Sequence, residues 1–129
     1  MVDRKIRRKS LTAKLDALTM VQDAYDHLAK DFIGQSPVAT VENGPIRPTS
    51  TPDKPDDIEL IVGFWVRRDD AVTAAQAEDL LDDFLSELRD IVFDDYNGEF
   101  MTESQLDYAE IGGYNYRVEF HFVKVLDWD

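Results

Sequence analysis

The chain has no cysteine, two histidines and no long apolar run, and each shortage removes a class of chemistry. Without cysteine there is no disulfide, no thiolate nucleophile and no thiolate metal site. The longest apolar run, Leu60 to Val66, is seven residues. A membrane-spanning helix needs roughly 20, so no membrane association is expected. The basic N-terminus lacks the apolar stretch of a signal peptide. These readings together predict a soluble intracellular protein. Basic side chains are also scarce, at 14 against 27 acids, for a net charge of −13.

That imbalance is unevenly spread. The first fourteen residues hold Arg4, Lys5, Arg7, Arg8, Lys9 and Lys14 against one acid, Asp3, whereas the remaining 115 carry 26 acids against eight bases, a net −18. A basic arm (1–9) on an acidic body predicts a part that docks at one end and repels polyanions along the rest. Hydrophobic content of 43% and fourteen aromatics exclude a disordered acidic chain, and 129 residues suffice for one core. Residues 10–129 are read as one domain.

Ser10 is placed to cap a helix running to about Ile33, with an apolar stripe at Leu11, Leu15, Leu18, Val21, Tyr25, Leu28 and Phe32. Gly34 and Pro37 would end it. Pro37 to Glu42 reads as a short strand. Four of the five prolines fall in Asn43 to Asp57, which predicts a long exposed loop, 43–57. Ile58 to Arg68 is the clearest strand. Its two faces, Leu60, Val62, Phe64, Val66 and Ile61, Gly63, Trp65, are both apolar, as in a central strand covered on both sides or a face completed by another subunit.

Thr73 and Gln76 have the spacing of a capping box and open a second helix to Val92. Its outward positions are Glu78, Asp79, Asp82, Asp83, Glu87 and Asp90, with only Arg89 to offset them. Ser104 to Ile111 and Tyr114 to Val125 read as a hairpin turned by Gly112 and Gly113. The order is α-β-(long loop)-β-α-β-β. The fold class is therefore α+β, a mostly antiparallel sheet with two helices packed against it.

No catalytic constellation is evident. His27 and His121 belong to no nucleophile motif. Asp94 to Glu99 has a calcium-loop flavour. Aligning Gly98 with the sixth position of an EF-hand loop, however, places Phe93 and Ser104 where the first and last carboxylates belong. No phosphate loop, zinc spacing or dinucleotide fingerprint is present, so no cofactor, metal or enzymatic activity is expected. The basic run lacks the interleaved aromatics of a stacking nucleic-acid site.

The opening helix Ser10–Phe32, the strand Asp57–Arg68 leading into helix Thr73–Val92, and the closing hairpin Leu106–Leu126 with its Tyr-Arg-Val-Glu-Phe-His-Phe ending resemble the tail terminator (tail completion) proteins of long-tailed bacteriophages. The resemblance spans nearly the whole chain and rests on the order and size of elements. It implies a non-enzymatic virion protein that closes into a homo-oligomeric ring, typically a hexamer. The ring would cap the tail tube, stop its polymerisation and meet the head-neck connector proteins. The expected location is the tail near the neck, after assembly in the host cytoplasm.

On that reading Glu78, Asp79, Asp82, Asp83 and Glu87 would face the lumen, where DNA passes without specific binding. Arg4, Lys5, Arg7, Arg8 and Lys9 would form a docking arm, and Trp65 and Trp128 a subunit contact. Alternatives are another neck or minor tail component, or an acidic inhibitor that mimics DNA with helix Thr73–Val92. An enzyme with an acidic metal site ranks last.

Overall fold

A computed structural model describes residues 4–28, 35–47, 57–68, 72–95 and 99–126. The elements are α1 (Arg4–Asp16), β1 (Asp23–Tyr25), β2 (Val38–Arg47), β3 (Asp57–Arg67), α2 (Ala74–Asp95), β4 (Glu99–Ile111) and β5 (Tyr114–Leu126). The strands form one sheet in the order β1-β2-β3-β5-β4, antiparallel except for the short parallel β1–β2 pair. This is the α+β architecture expected, with β1 as an additional strand.

β3 lies at the centre of the sheet, as its two apolar faces predict. One face carries Leu60, Val62, Phe64 and Val66, which are buried with Leu11 and Leu15 of α1 and with Ala77, Leu81, Phe84, Leu88 and Val92 of α2. Both helices therefore sit on the same side. The spacing of the α2 residues puts a single stripe over the strands, which is why the remaining positions of that helix can be charged. The opposite face holds a second cluster of Val38, Trp65, Ile111, Tyr116 and Val118, and no helix among the described residues covers it.

Three local signals form as spaced. Gln76 N donates to Thr73 Oγ1 (3.2 Å) and Thr73 N donates to Gln76 Oε1 (2.9 Å), closing the capping box at the start of α2. Gly112 and Gly113 take φ of 60° and 84° between Ile111 and Tyr114. Two consecutive positive φ values define the type I′ turn that matches strand twist. Finally, β2 shifts register between Asn43 and Ile46, a span that contains Pro45, where a missing N–H costs least.

The opening helix differs from expectation. It covers Arg4–Asp16 rather than Ser10–Ile33. The basic run is thus the first two turns of α1, and it is tied to the body: Arg8 Nη1 donates to Asn43 Oδ1 (2.8 Å) and Lys9 Nζ to Asp26 Oδ2 (2.5 Å). Arginine and lysine are good helix formers, and 4–16 contains no glycine or proline. After Asp16 the chain tightens, with Leu18 N donating to Leu15 O and Val21 N to Leu18 O (both 3.1 Å). Leu15 and Val21 still reach the core, with Leu18 packed against it. A spacing of three is served equally by a helix and by successive three-residue turns.

Asp16 Oδ1 then accepts from Ala24 N (3.1 Å), holding the chain as it enters β1. Residues 29–33 of the expected helix lie outside the described residues, as do 48–56 of the expected proline-rich loop. The two ends of that loop, 43–47 and Asp57, belong to strands β2 and β3.

The second cluster is closely fitted around Gly63. A methyl group there would stand 2.7 Å from Thr40 Oγ1 and 2.9 Å from Trp65 Nε1, two atoms joined by a 3.0 Å hydrogen bond. Gly63→Ala is expected to destabilise by about 1–3 kcal/mol through this overpacking, measured as a lower midpoint of urea unfolding at unchanged slope.

Candidate functional surfaces

The expected lumen residues share one helix. Glu78, Asp79, Asp82, Asp83, Glu87 and Asp90 on α2 are all exposed, as is Arg89. Helical steps of about 100° per residue divide them. With the buried stripe facing the sheet, Asp79, Asp83 and Asp90 point most directly outward and Glu87 lies on one flank. Glu78 and Asp82 lie on the other flank, toward β5 and β4, and Glu78 Oε1 accepts from Arg117 Nε of β5 at 3.1 Å. The acidic residues thus spread over the outward half of the helix, with Glu78 on one flank tied to Arg117.

The expected docking residues Arg4, Lys5, Arg7, Arg8 and Lys9 lie on α1, with Lys5 and Lys9 exposed and Arg4, Arg7 and Arg8 half-buried. Lys9 and His27 both hydrogen-bond the Asp26 carboxylate, Lys9 the more strongly, and hold its pKa down at about 2. The acidic and basic sets are not brought together. α1 packs on β1 and β2 at one end of the sheet, while α2 packs on β3, β5 and β4.

Trp65 is not an exposed contact. It is 4% exposed, its ring meeting Phe120 edge-on at 5.4 Å and Tyr116 at 6.4 Å. Its neighbours come from β5, which pairs Trp65 with Val118, so the second apolar face of β3 is completed substantially within the chain. Trp128 lies outside the described residues.

A feature that strand patterning did not single out is the group around Tyr108. Leu106 and Tyr108 are among the most exposed large hydrophobics described. The Arg117 guanidinium stacks on the Tyr108 ring at 4.5 Å and Arg68 lies 5.7 Å from it. An open cleft of about 640 Å³ lies beside this ring, bounded by Arg68, Thr73, Glu110, Asn115 and Tyr116. Its described polar groups have both signs and include no nucleophile with an adjacent base. The available signal was Tyr108 and Arg117 as aromatic and cation on the two strands of one hairpin, which become direct cross-strand partners.

Of the histidines, His27 is exposed, with Nδ1 3.0 Å from Asp26 Oδ1. His121 is buried beneath α2, its ring 6.3 Å from that of Phe84. Burial pushes its pKa down from 6.5 to about 4. No group of three or more potential metal ligands converges among the described residues, and no described helix is long and apolar enough to cross a membrane. No protein-family model matches the chain, and no curated protein sequence matches it.

Proposed function

We propose that the protein is a structural component of a phage tail, a tail terminator whose copies form a ring on the end of the tail tube. The ring halts tube polymerisation and presents a surface to the head-neck connectors. The observation that carries the reading is the order of elements: a short opening helix, a central strand feeding a long second helix, and a closing hairpin on one mostly antiparallel sheet. That order is the basis of the resemblance to tail terminators. The acidic outward face of α2 supports it, because carboxylates at Asp79, Asp83 and Glu87 would repel passing phosphates within a Debye length of about 8–10 Å. The role is non-enzymatic and needs no cofactor.

The test is the mass of the protein by light scattering, alone and with assembled tail tubes, with negative-stain images of both. Rings, or caps on tube ends, are the expected result. Asp79→Asn/Asp83→Asn/Glu87→Gln should leave ring formation intact and lower the fraction of assembled particles that deliver their genome. Unchanged delivery would remove the lumen assignment. A protein that ignores tubes and instead inhibits a DNA-handling enzyme, in a salt-sensitive way, would replace the tail reading with DNA mimicry.

A further inference from the structure

The exposed large hydrophobics among the described residues are Ile6, Leu28, Leu106, Tyr108 and Tyr114, and they fall at the two opposite ends of the sheet. Ile6 lies on α1 and Leu28 just beyond β1, at the end formed by β1 and β2. Leu106, Tyr108 and Tyr114 lie on the β4–β5 hairpin at the other end. The same ends differ in charge. The first carries the α1 bases Arg4, Lys5, Arg7, Arg8 and Lys9 around Ile6. The second carries Glu78 and Asp82 on the near flank of α2, with exposed Asp107 and Glu110 on β4, against the exposed bases Arg68 beside Tyr108 and Arg89 on the same flank of α2. Its Arg117 is already held by Glu78.

β4 is also an edge strand. β5 pairs along one side of it, and no strand among the described residues pairs along the other.

We propose that these two unlike ends are halves of one contact. The basic α1 end of each copy docks on the acidic β4 end of the next, with Ile6 meeting the exposed apolar surface of Leu106 and Tyr108. A two-fold contact made through one end alone would set base against base or acid against acid, so a complementary contact between the two opposite ends is heterologous and head-to-tail. Repetition of such a contact closes a ring when the rotation between copies allows. Apolar side chains at the centre with a charged rim match the anatomy of protein interfaces, and the charges set orientation more than affinity. The contact leaves Asp79, Asp83 and Glu87 open. This inference deepens the ring reading above by naming the surfaces that join.

The experiment uses the full-length chain. Arg4→Glu/Lys5→Glu reverses one end and Asp82→Lys/Glu110→Lys the other, all at surface or half-buried positions, with circular dichroism to verify folding. Each variant alone should fall to the single-chain mass of 14.8 kDa, and an equimolar mixture should recover the wild-type mass. Because the chain has no cysteine, Ile6→Cys and Leu106→Cys provide an independent readout. Oxidation should give disulfide dimers when the two are mixed and none from Ile6→Cys alone. A monomeric wild type, reversals that keep the wild-type mass, or Ile6–Ile6 dimers would each overturn the contact. Rings that survive both reversals and still cap tubes would overturn this contact while sustaining the tail reading. Head-to-tail oligomers that ignore tubes would do the opposite.

Discussion

Phe84→Ala is expected to destabilise the fold by about 3–5 kcal/mol, the usual cost of truncating a buried aromatic. Phe84 is fully buried at the middle of α2, with its ring stacked on Phe64 of the central strand at 4.1 Å and 11°. These two rings join the helix layer to the sheet, and His121 packs against the Phe84 ring. The truncation would remove the stacking contact and leave a cavity between α2 and β3 that neighbouring Leu81 and Leu88 fill only in part. For a domain whose total stability is on the order of 5–15 kcal/mol, this is a large fraction, and the urea midpoint should fall by roughly 2 M. Ser86→Ala, on the exposed face of the same helix, should stay within about 0.5 kcal/mol. A Phe84→Ala cost below about 1 kcal/mol would show that α2 is not seated through this pair.

Much of this arrangement is legible in the order of residues because its causes are local. Thr73 and Gln76 satisfy each other's backbone N–H groups across three residues, and Gly112-Gly113 supplies a turn that side chains disfavour. The two apolar faces of β3 announce a central strand whatever its neighbours are. The acidic face of α2 is also local, since it follows from one helix having one buried stripe.

The misses have non-local causes. Leu15, Leu18 and Val21 recur at steps of three, a pattern that a helix and a pair of tight turns bury alike. The turn wins because Asp16 and Pro37 O provide hydrogen bonds that stop the helix and start β1. The basic residues 4–9 read as an arm on charge alone, yet partners at Asn43 and Asp26, 35 and 17 residues away, bring Arg8 and Lys9 onto the body. Trp65 looks available for another subunit until β5 arrives beside it. Conversely, Leu106 alternates like a core residue but lies on the edge strand beyond the cover of α2, where it stays exposed.

His121 makes the second large effect one of pH. Its ring lies 1% exposed between β5 and α2, and desolvation depresses its pKa from 6.5 to about 4. The nearest carboxylate, Glu119 on the same face of β5, has Oε1 3.1 Å from Nε2 without the alignment of a hydrogen bond. The unfolded chain binds a proton near pH 6.5, whereas the folded chain resists it until about pH 4. Between those values the unfolded state holds more protons, so stability falls as pH is lowered. The contribution is fully present above about pH 6.5 and is lost by about pH 4, for a total on the order of 3 kcal/mol.

Native protein should therefore show a urea midpoint that declines through this window. His121→Leu, which fills the site without a titrating group, should flatten that decline relative to wild type, whatever its effect at pH 7. An equal slope in the two proteins would mean that the buried imidazole takes up its proton without cost, with Glu119 turning to pair with it. The double variant His121→Leu/Glu119→Gln separates the two groups. If desolvation dominates, replacing Glu119 changes the slope little once His121 is gone. If the Glu119 carboxylate offsets the burial, Glu119→Gln alone should steepen the acid decline, because the protonated ring would then have lost a compensating charge 3.1 Å away.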